Sequence, residues 1–284
     1  MTKNIAHRGA RSLAPENTMA AAKKAFELGA DLWETDVSVT KDEELILFHD
    51  TSLKRTTNAT TVFPGRAPYL LTAFTLAEIL TLSAGSYFEE TDPSGEIAAG
   101  SISRKDLDLF KTERVPTLEE ALVFTRENNW QVNLELKELP EEFSLFPLPR
   151  RTLDMIKKTG LDFDRFVISS FNHTWLKQIE TMEPGVQVEA LLGDWHGEIL
   201  DFQDYHFSVY NLNHTSVTEK IIQDLKERGK KINLFTVNDS RDMARFIEAG
   251  VDGIITDFPH RLAAILDLDT VGTMYQFEDK KENL

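Results

Sequence analysis

The stretch ADLWETDVSVTKDEELILFHD, residues 30–50, decides how the rest of the chain is read. It sets two carboxylates two residues apart, Glu34 and Asp36, inside an extended apolar segment. A strand alternates faces with a period of two, so both acids point the same way. Leu32, Trp33 and Val37 flank them and make the strand an interior one. A buried carboxylate needs a cation or hydrogen-bond donors to offset its desolvation. A polar turn, Lys41 to Glu44, and a second apolar run, Leu45 to Phe48, then form a hairpin ending in His49 and Asp50. Pairing Thr40 with Leu45 across a four-residue loop sets Val37 opposite Phe48 and Asp36 opposite His49. The expected register thus delivers a histidine beside a carboxylate pair.

Outward from this hairpin, strands and helices alternate. Strand-like runs occur at Ile5–His7, Asp31–Asp36, Gln131–Leu136, Arg165–Ser169, Val186–Leu192, Phe207–Leu212, Ile232–Val237 and Gly253–Thr256. Between them, Thr18–Leu28 carries Met19, Ala22 and Phe26 at helical spacing and stops at Gly29. Thr117 and Glu120 form a capping box before Leu118–Asn128, and Arg151–Thr159 stops at Gly160. Asn172 caps a helix to Met182, Ser216 and Glu219 box one ending at Gly229, Ser240–Ala249 stops at Gly250, and Pro259 opens the last. A further helix is expected around Glu198–Tyr205. With the hairpin standing above the sheet, the parallel strands number eight, which predicts a closed (β/α)8 TIM-type barrel over an open doubly wound sheet.

Residues 51–114 break this rhythm. Pro64, Gly65, Pro68, Pro93, Gly95 and Gly100 interrupt them, and one short helix is expected near Leu76–Leu82. An insertion after strand two, on the side where barrel loops carry function, reads as a cap over the site. The expected organisation is a barrel over 1–50 and 115–269, a capping insertion over 51–114, and a polar tail over 270–284.

The 284 residues suffice for one barrel, and 41% hydrophobic with 27% charged is ordinary for a soluble globular protein. No apolar run is long enough to span a bilayer, and MTKNIAHRGA lacks a signal-peptide core. Zero cysteines remove disulfides, thiolate ligands and a thiol nucleophile, and fit a reducing, cytoplasmic setting. The glycosylation patterns at Asn58, Asn172 and Asn213 then carry no weight. A formal net charge of −16 argues against nucleic acid and against stable association with an anionic membrane. An anionic small-molecule substrate would need a locally positive site, such as a bound cation.

In a barrel, reactive groups gather at the C-terminal strand ends. Those ends hold His7 and Arg8; Glu34 and Asp36 with hairpin-borne His49; Glu135 and Lys137; Ser170, Phe171 and Asn172; Asn211; Thr236 and Asn238; and Thr256 and Asp257. Glu34, Asp36 and Glu135 form an all-oxygen set suited to one hard divalent cation, Mg2+ or Ca2+. His7 and His49 can serve as general acid and base, while Arg8 and Lys137 offer charge to a phosphate. These are the parts that phosphoester cleavage requires.

In its ordered motifs the chain resembles the glycerophosphodiester phosphodiesterase family. The motifs are Ala6-His7-Arg8-Gly9-Ala10, Ala14-Pro15-Glu16-Asn17-Thr18, Glu34-x-Asp36-Val37, Thr40-Lys41-Asp42, His49-Asp50, Arg55-Thr56-Thr57, Pro116 to Glu120, Glu135-Leu136-Lys137, Ser169-Ser170-Phe171, Thr236-Val237-Asn238 and Gly250 to Pro259. The resemblance implies a TIM-type barrel with a small insertion after strand two and a divalent cation on Glu34, Asp36 and Glu135. It also implies His7 and His49 as the catalytic pair, with Arg8 and Lys137 near the phosphate. The implied reaction takes glycerophosphodiesters to glycerol 3-phosphate and an alcohol. Phe235 stands where a Trp is common, and the insertion is longer and more aromatic than a minimal member would carry. Both bear on the identity of the alcohol. Phe171 and Phe235 are either barrel-top core or an apolar wall for the glycerol carbons. Asp50 and Asp257 are expected to orient neighbours, and Glu16 and Asn17 to fix the first loop. Two other readings remain: a lyase like phospholipase D or phosphoinositide phospholipase on a related barrel, and a non-catalytic barrel that binds phosphodiesters.

Overall fold

The computed structural model describes residues 1–194 and 197–268. The tail expected over 270–284, and residue 269 at the end of the barrel span, lie outside the described residues.

Nine strands form one sheet: β1 (Lys3–Ala6), β2 (Leu32–Val39), β3 (Leu45–Leu47), β4 (Val132–Leu136), β5 (Phe166–Ser170), β6 (Val188–Leu192), β7 (Val209–Asn213), β8 (Lys231–Phe235) and β9 (Gly253–Thr256). Eight are parallel neighbours, and β1 pairs with both β2 and β9, so the sheet closes into a TIM-type barrel. Closure rules out the open doubly wound alternative. Among the described residues only β3 of these strands runs antiparallel, paired with the far end of β2. The hairpin therefore rises above the barrel, as expected.

Its register differs from the expected one by a residue. Val37 faces Leu47, and Val39 faces Leu45. Thr40 N–H donates to the Glu44 carbonyl at 3.0 Å, Glu43 takes φ 63°, and the Thr40 hydroxyl accepts from Glu44 N–H at 3.1 Å. The loop is thus the three residues Lys41–Glu43, a length that favours a left-handed last residue. Phe48 N–H then reaches the Asp36 carbonyl at 3.0 Å, and His49 falls beyond the ladder.

The alternation along β2 does what its sequence implies. Trp33 turns outward, stacks on Trp130 at 6.2 Å, and donates its indole N–H to the Thr125 hydroxyl of helix Leu118–Glu127. That anchor points Glu34 and Asp36 into the barrel. Thr117 and Glu120 complete both halves of the expected capping box on the same helix. The outer layer packs Leu118, Leu122, Leu176, Ile179, Leu225 and Met243 against the strands in one continuous core.

Several local expectations are corrected. No helix forms at 198–205: Gln203 and Tyr205 adopt positive φ, and the Asp201 and Asp204 carboxylates accept from nearby backbone N–H groups. Aspartates making such turns compete with helix. The helix Glu219–Glu227 is capped by Thr218, not by Ser216, which lies in a preceding 3-10 turn. Residues 51–114 hold more than one short helix: Ala59–Val62, Leu76–Ile79, Ser86–Thr91 and Arg104–Phe110. Two aromatic clusters organise them, one around Phe74, Tyr69 and Phe63, the other around Tyr87, Phe88 and Phe110.

Candidate active site

The loop after β1 turns at once. Arg8 adopts φ 54° and Gly9 φ 78°, and a side chain on Gly9 would lie 2.6 Å from the Ala21 carbonyl carbon. Only glycine fits there. The turn aims Arg8 N–H at Glu34 Oε2, 2.9 Å away, and lays the Arg8 guanidinium across the barrel mouth, Nε 3.3 Å from Asp36 Oδ2. Asn17, also left-handed at φ 54°, fixes Asp36 from the other side. Its amide donates to Asp36 Oδ2 at 2.8 Å, and its carbonyl accepts from the Thr35 hydroxyl at 2.7 Å.

Glu34, Asp36 and Glu135 come together, each offering an oxygen within 4.8 Å of the others. Lys137 closes the group, donating to Glu135 Oε1 at 2.7 Å with Asp36 Oδ1 at 3.7 Å. Glu34 Oε1 and Asp36 Oδ1 are buried without a hydrogen-bond partner. A buried carboxylate oxygen left without a hydrogen bond is costly, and a cation is one group that would satisfy it. Burial, then Asp36 and Glu135, push the Glu34 carboxyl well above its ordinary range. Burial also raises Glu135, against the pull of Lys137. At Asp36, burial is outweighed by Arg8, His49, Lys137 and Asn17, which hold it at about 2.

Two histidines flank the acids, each seated on its own aspartate. His7 Nδ1 lies 2.6 Å from Asp257 Oδ1, and its Nε2 lies 4.0 Å from Glu34 Oε2. Burial first, then the Arg8 charge, lower His7 to about 4. His49 Nδ1 lies 2.7 Å from Asp50 Oδ1. Although outside the hairpin ladder, His49 is close enough to Asp36 and Glu135 to act on both electrostatically. Asp257 and Asp50 are both held below the usual carboxylate range. Burial opposes this, and hydrogen bonds from His7 and Asn238, and from His49 and Arg55, prevail. A chain with a conspicuous acidic excess thus brings four of its cations together here. Six carboxylates (Glu16, Glu34, Asp36, Asp50, Glu135, Asp257) face four fixed cations (Arg8, Arg11, Arg55, Lys137). With all six carboxylates ionised, two negative charges would remain, a balance that one divalent cation would meet.

A family model described as the glycerophosphoryl diester phosphodiesterase family matches residues 7–261. The chain belongs to that family. It is 36% identical, over 91% of its length and 95% of the relative, to the glycerophosphodiester phosphodiesterase of Caldanaerobacter subterraneus subsp. tengcongensis. It is 31% identical to the corresponding enzyme of Bacillus altitudinis, over 93% of this chain and 98% of that one. Among solved structures, the glycerophosphodiester phosphodiesterase of Agrobacterium tumefaciens matches with a TM-score of 0.70 at 27% identity, covering 93% of this chain and all of that one. The chain is accordingly an enzyme of this family's activity, a hydrolase of phosphoric diesters.

Of the residues singled out from sequence, His7, Arg8, Glu34, Asp36, His49, Glu135 and Lys137 converge on one spot. Phe171 and Phe235 meet each other edge to face, ring centroids 6.0 Å apart. Phe235 also rests on Ile5, Leu32 and Ile255, a small apolar plug. Sequence reasoning gave no role to Arg11 or Arg55. The signal for them was present: arginines in the first and third loop segments of an acidic chain, with Arg55 inside a quoted motif.

Proposed function

We propose that this phosphodiesterase hydrolyses glycerophosphodiesters to glycerol 3-phosphate and an alcohol, with His7 and His49 as acid and base and a divalent cation, Mg2+ or Ca2+, on Glu34, Asp36 and Glu135. The observation that carries this reading is the pair of buried oxygens, Glu34 Oε1 and Asp36 Oδ1, that have no hydrogen-bond partner among the described residues and lie between two histidine–aspartate pairs. When bound, the cation supplies Lewis-acid stabilisation of the phosphoryl oxygens.

The chain's own side chains supply the rest. Each aspartate takes the Nδ1 side of its histidine, which leaves Nε2 as the nitrogen that exchanges a proton with substrate. Displacement at phosphorus needs a proton removed from the attacking oxygen and another supplied to the leaving one. Two separately oriented imidazoles meet that need. Arg8 and Lys137, already aligned on the carboxylates, would flank the phosphate. Phe171 and Phe235 offer an apolar wall for the glycerol carbons. The insertion over 51–114 reads as a cap, supported by Arg55 and Tyr87, which both reach Glu16 of the first barrel loop. The non-catalytic reading expects a missing acid, base or ligand, and all five side chains are here. The lyase reading differs in stopping at a cyclic phosphate.

The test is release of glycerol 3-phosphate from a panel of glycerophosphodiesters, with chelator and with Mg2+ or Ca2+ restored. Chelator abolishes activity and the ion restores it; full activity in chelator overturns the metal assignment. His7→Ala and His49→Ala each lower kcat about 100-fold or more on poor leaving groups. Near-normal kcat in both, or loss of the ion instead, overturns the acid and base roles. Accumulation of a cyclic phosphate as end product selects the lyase.

A further inference from the structure

We infer that Glu16 is a positioning residue shared by both histidines, the single carboxylate on which the two histidine–aspartate arms are anchored. This rests on the acid and base roles proposed above. Glu16 is buried and lies in the loop between β1 and helix Met19–Glu27, away from the oxygens of the metal cluster. Three guanidiniums converge on it. Arg8 Nη1 donates to Oε1 at 2.7 Å, Arg11 Nη2 pairs with Oε2 at 2.7 Å, and Arg55 donates to both oxygens at 2.7 and 2.8 Å.

Each outer arginine then continues to one arm. Arg55 grips Asp50 with two bonds, at 2.6 and 2.8 Å, and Asp50 holds His49. Arg11 pairs with Asp257 Oδ1 at 3.7 Å, and Asp257 holds His7. One unbroken chain of charges thus runs from His7 through Asp257, Arg11, Glu16, Arg55 and Asp50 to His49. The middle arginine, Arg8, ties the same carboxylate to Asp36. On the Arg55 arm, bidentate pairs fix direction as well as distance; on the Arg11 arm single ion pairs position Asp257, which Asn238 also holds at 2.8 Å, so Glu16 is the element the two arms share. Glu16 also donates its backbone N–H to the Tyr87 hydroxyl at 3.1 Å, which seats the insertion on the same point. Three arginines on one acid join the first loop, the insertion and both arms at a single point. They suit a device that keeps two proton-transfer groups in a fixed relation.

The arms are separable because Arg11 and Arg55 are each partly exposed, so either can be truncated without leaving a deep cavity. The experiment compares Arg11→Met, Arg55→Met and Glu16→Gln at saturating Mg2+, on a glycerophosphodiester with an alkyl leaving group and on a p-nitrophenyl ester. Loss of an orienting group costs about 10-fold or more, and it falls on kcat while KM moves little. Each arginine variant is expected to show that loss on the alkyl diester. On the p-nitrophenyl ester, whose leaving group needs no proton, one of the two recovers to near wild type and the other does not. That split identifies the acid arm, and a merely structural role would not produce it. Glu16→Gln shows loss on both substrates, larger on the alkyl diester; if it does not fold, the two arginine variants decide. Kinetics within twofold of wild type in both Arg11→Met and Arg55→Met, or a deficit equal on the two substrates in both variants, overturns the inference. His7→Ala and His49→Ala run alongside: activity in these refutes the proposed roles, whereas inactivity with fully active arginine variants refutes Glu16 alone.

Discussion

Asn17 offers the sharpest test of how the loop after β1 holds the acidic cluster. Its side chain gives Asp36 one charge-assisted hydrogen bond at 2.8 Å and accepts from the fully buried Thr35 hydroxyl at 2.7 Å. Removing the first forfeits about 1.5–3 kcal/mol, and stranding the second costs about 1–3 kcal/mol. Asn17→Gly should therefore destabilise the protein by about 2.5–6 kcal/mol, a large share of the roughly 5–15 kcal/mol that holds a domain folded. Asn17→Ala should be worse. Its φ of 54° is left-handed, which costs alanine about 1–2 kcal/mol more than glycine. Ordinarily the order is reversed, since glycine loses more backbone entropy on folding. Urea unfolding of the three proteins with chelator present measures these differences. Repeating it with Mg2+ measures the ion's contribution. Because Asn17 orients Asp36 rather than touching an ion, its loss should weaken Mg2+ affinity about 10–100-fold. At fixed excess Mg2+ that removes about 1.4–2.7 kcal/mol of ion-dependent stabilisation. Alanine equal to glycine would refute the backbone argument. An unchanged Mg2+ increment would refute the claim that Asn17 positions a ligand.

Other outcomes follow from the same structure. Thr218→Ala should cost about 1 kcal/mol by thermal or urea unfolding, as loss of a helix N-cap does. Ser216→Ala should cost nothing, because its buried hydroxyl has no hydrogen-bond partner to lose. Glu189, inside the barrel beneath the site, is pushed above its ordinary 4.5 by burial, with Asn211, Gln187 and Asn233 offsetting only part. Wild-type stability should therefore decline as pH rises from about 4.5 through the raised folded value. Glu189→Gln should match wild type near pH 4 and exceed it at pH 7, and equal curves throughout would remove the burial argument. Replacing residues 58–114 of the insertion with a short linker, which keeps Arg55, should alter which alcohols are accepted as leaving groups, read from the substrate panel; an unchanged profile in a folded variant would make that part of the insertion a bystander. The Gly160→Ala variant should lose about 1 kcal/mol from the left-handed cap of helix Leu148–Thr159, with open space around the new methyl excluding a clash.

What the sequence made legible, and what it hid, divides along the range of the interactions. Glu34 and Asp36 could be read because the period of a strand is local and Trp33, next to Glu34, has to face the other way. Glu135 followed from the same pattern on the next barrel strand, which pairs with β2 so that Asp36 and Glu135 are direct neighbours. The hairpin register could not be read as firmly, since it turned on whether Glu44 belongs to the loop or to the ladder. The Thr40 side chain settled that through hydrogen bonds no hydrophobic pattern encodes. The orienting role expected of Asp257 has the same character. It becomes the partner of His7, 250 residues away, only because closure places β9 beside β1.

The arginines carry this furthest. Arg8 was visible as a neighbour of a motif histidine, yet its role depends on Glu16, which the sequence marked only as part of a turn. Arg55 enters from the insertion and Arg11 from the first loop; each has an acid five residues away, Asp50 and Glu16, but nothing in the sequence marks those pairs off from ordinary surface charges. A charged side chain reads as surface until a buried partner is found for it, because the desolvation that makes it informative exists only in the folded state. For that reason the groups expected to touch substrate could be named in advance from their chemistry, whereas the carboxylate that orients them could be found only by following each guanidinium to its acceptor.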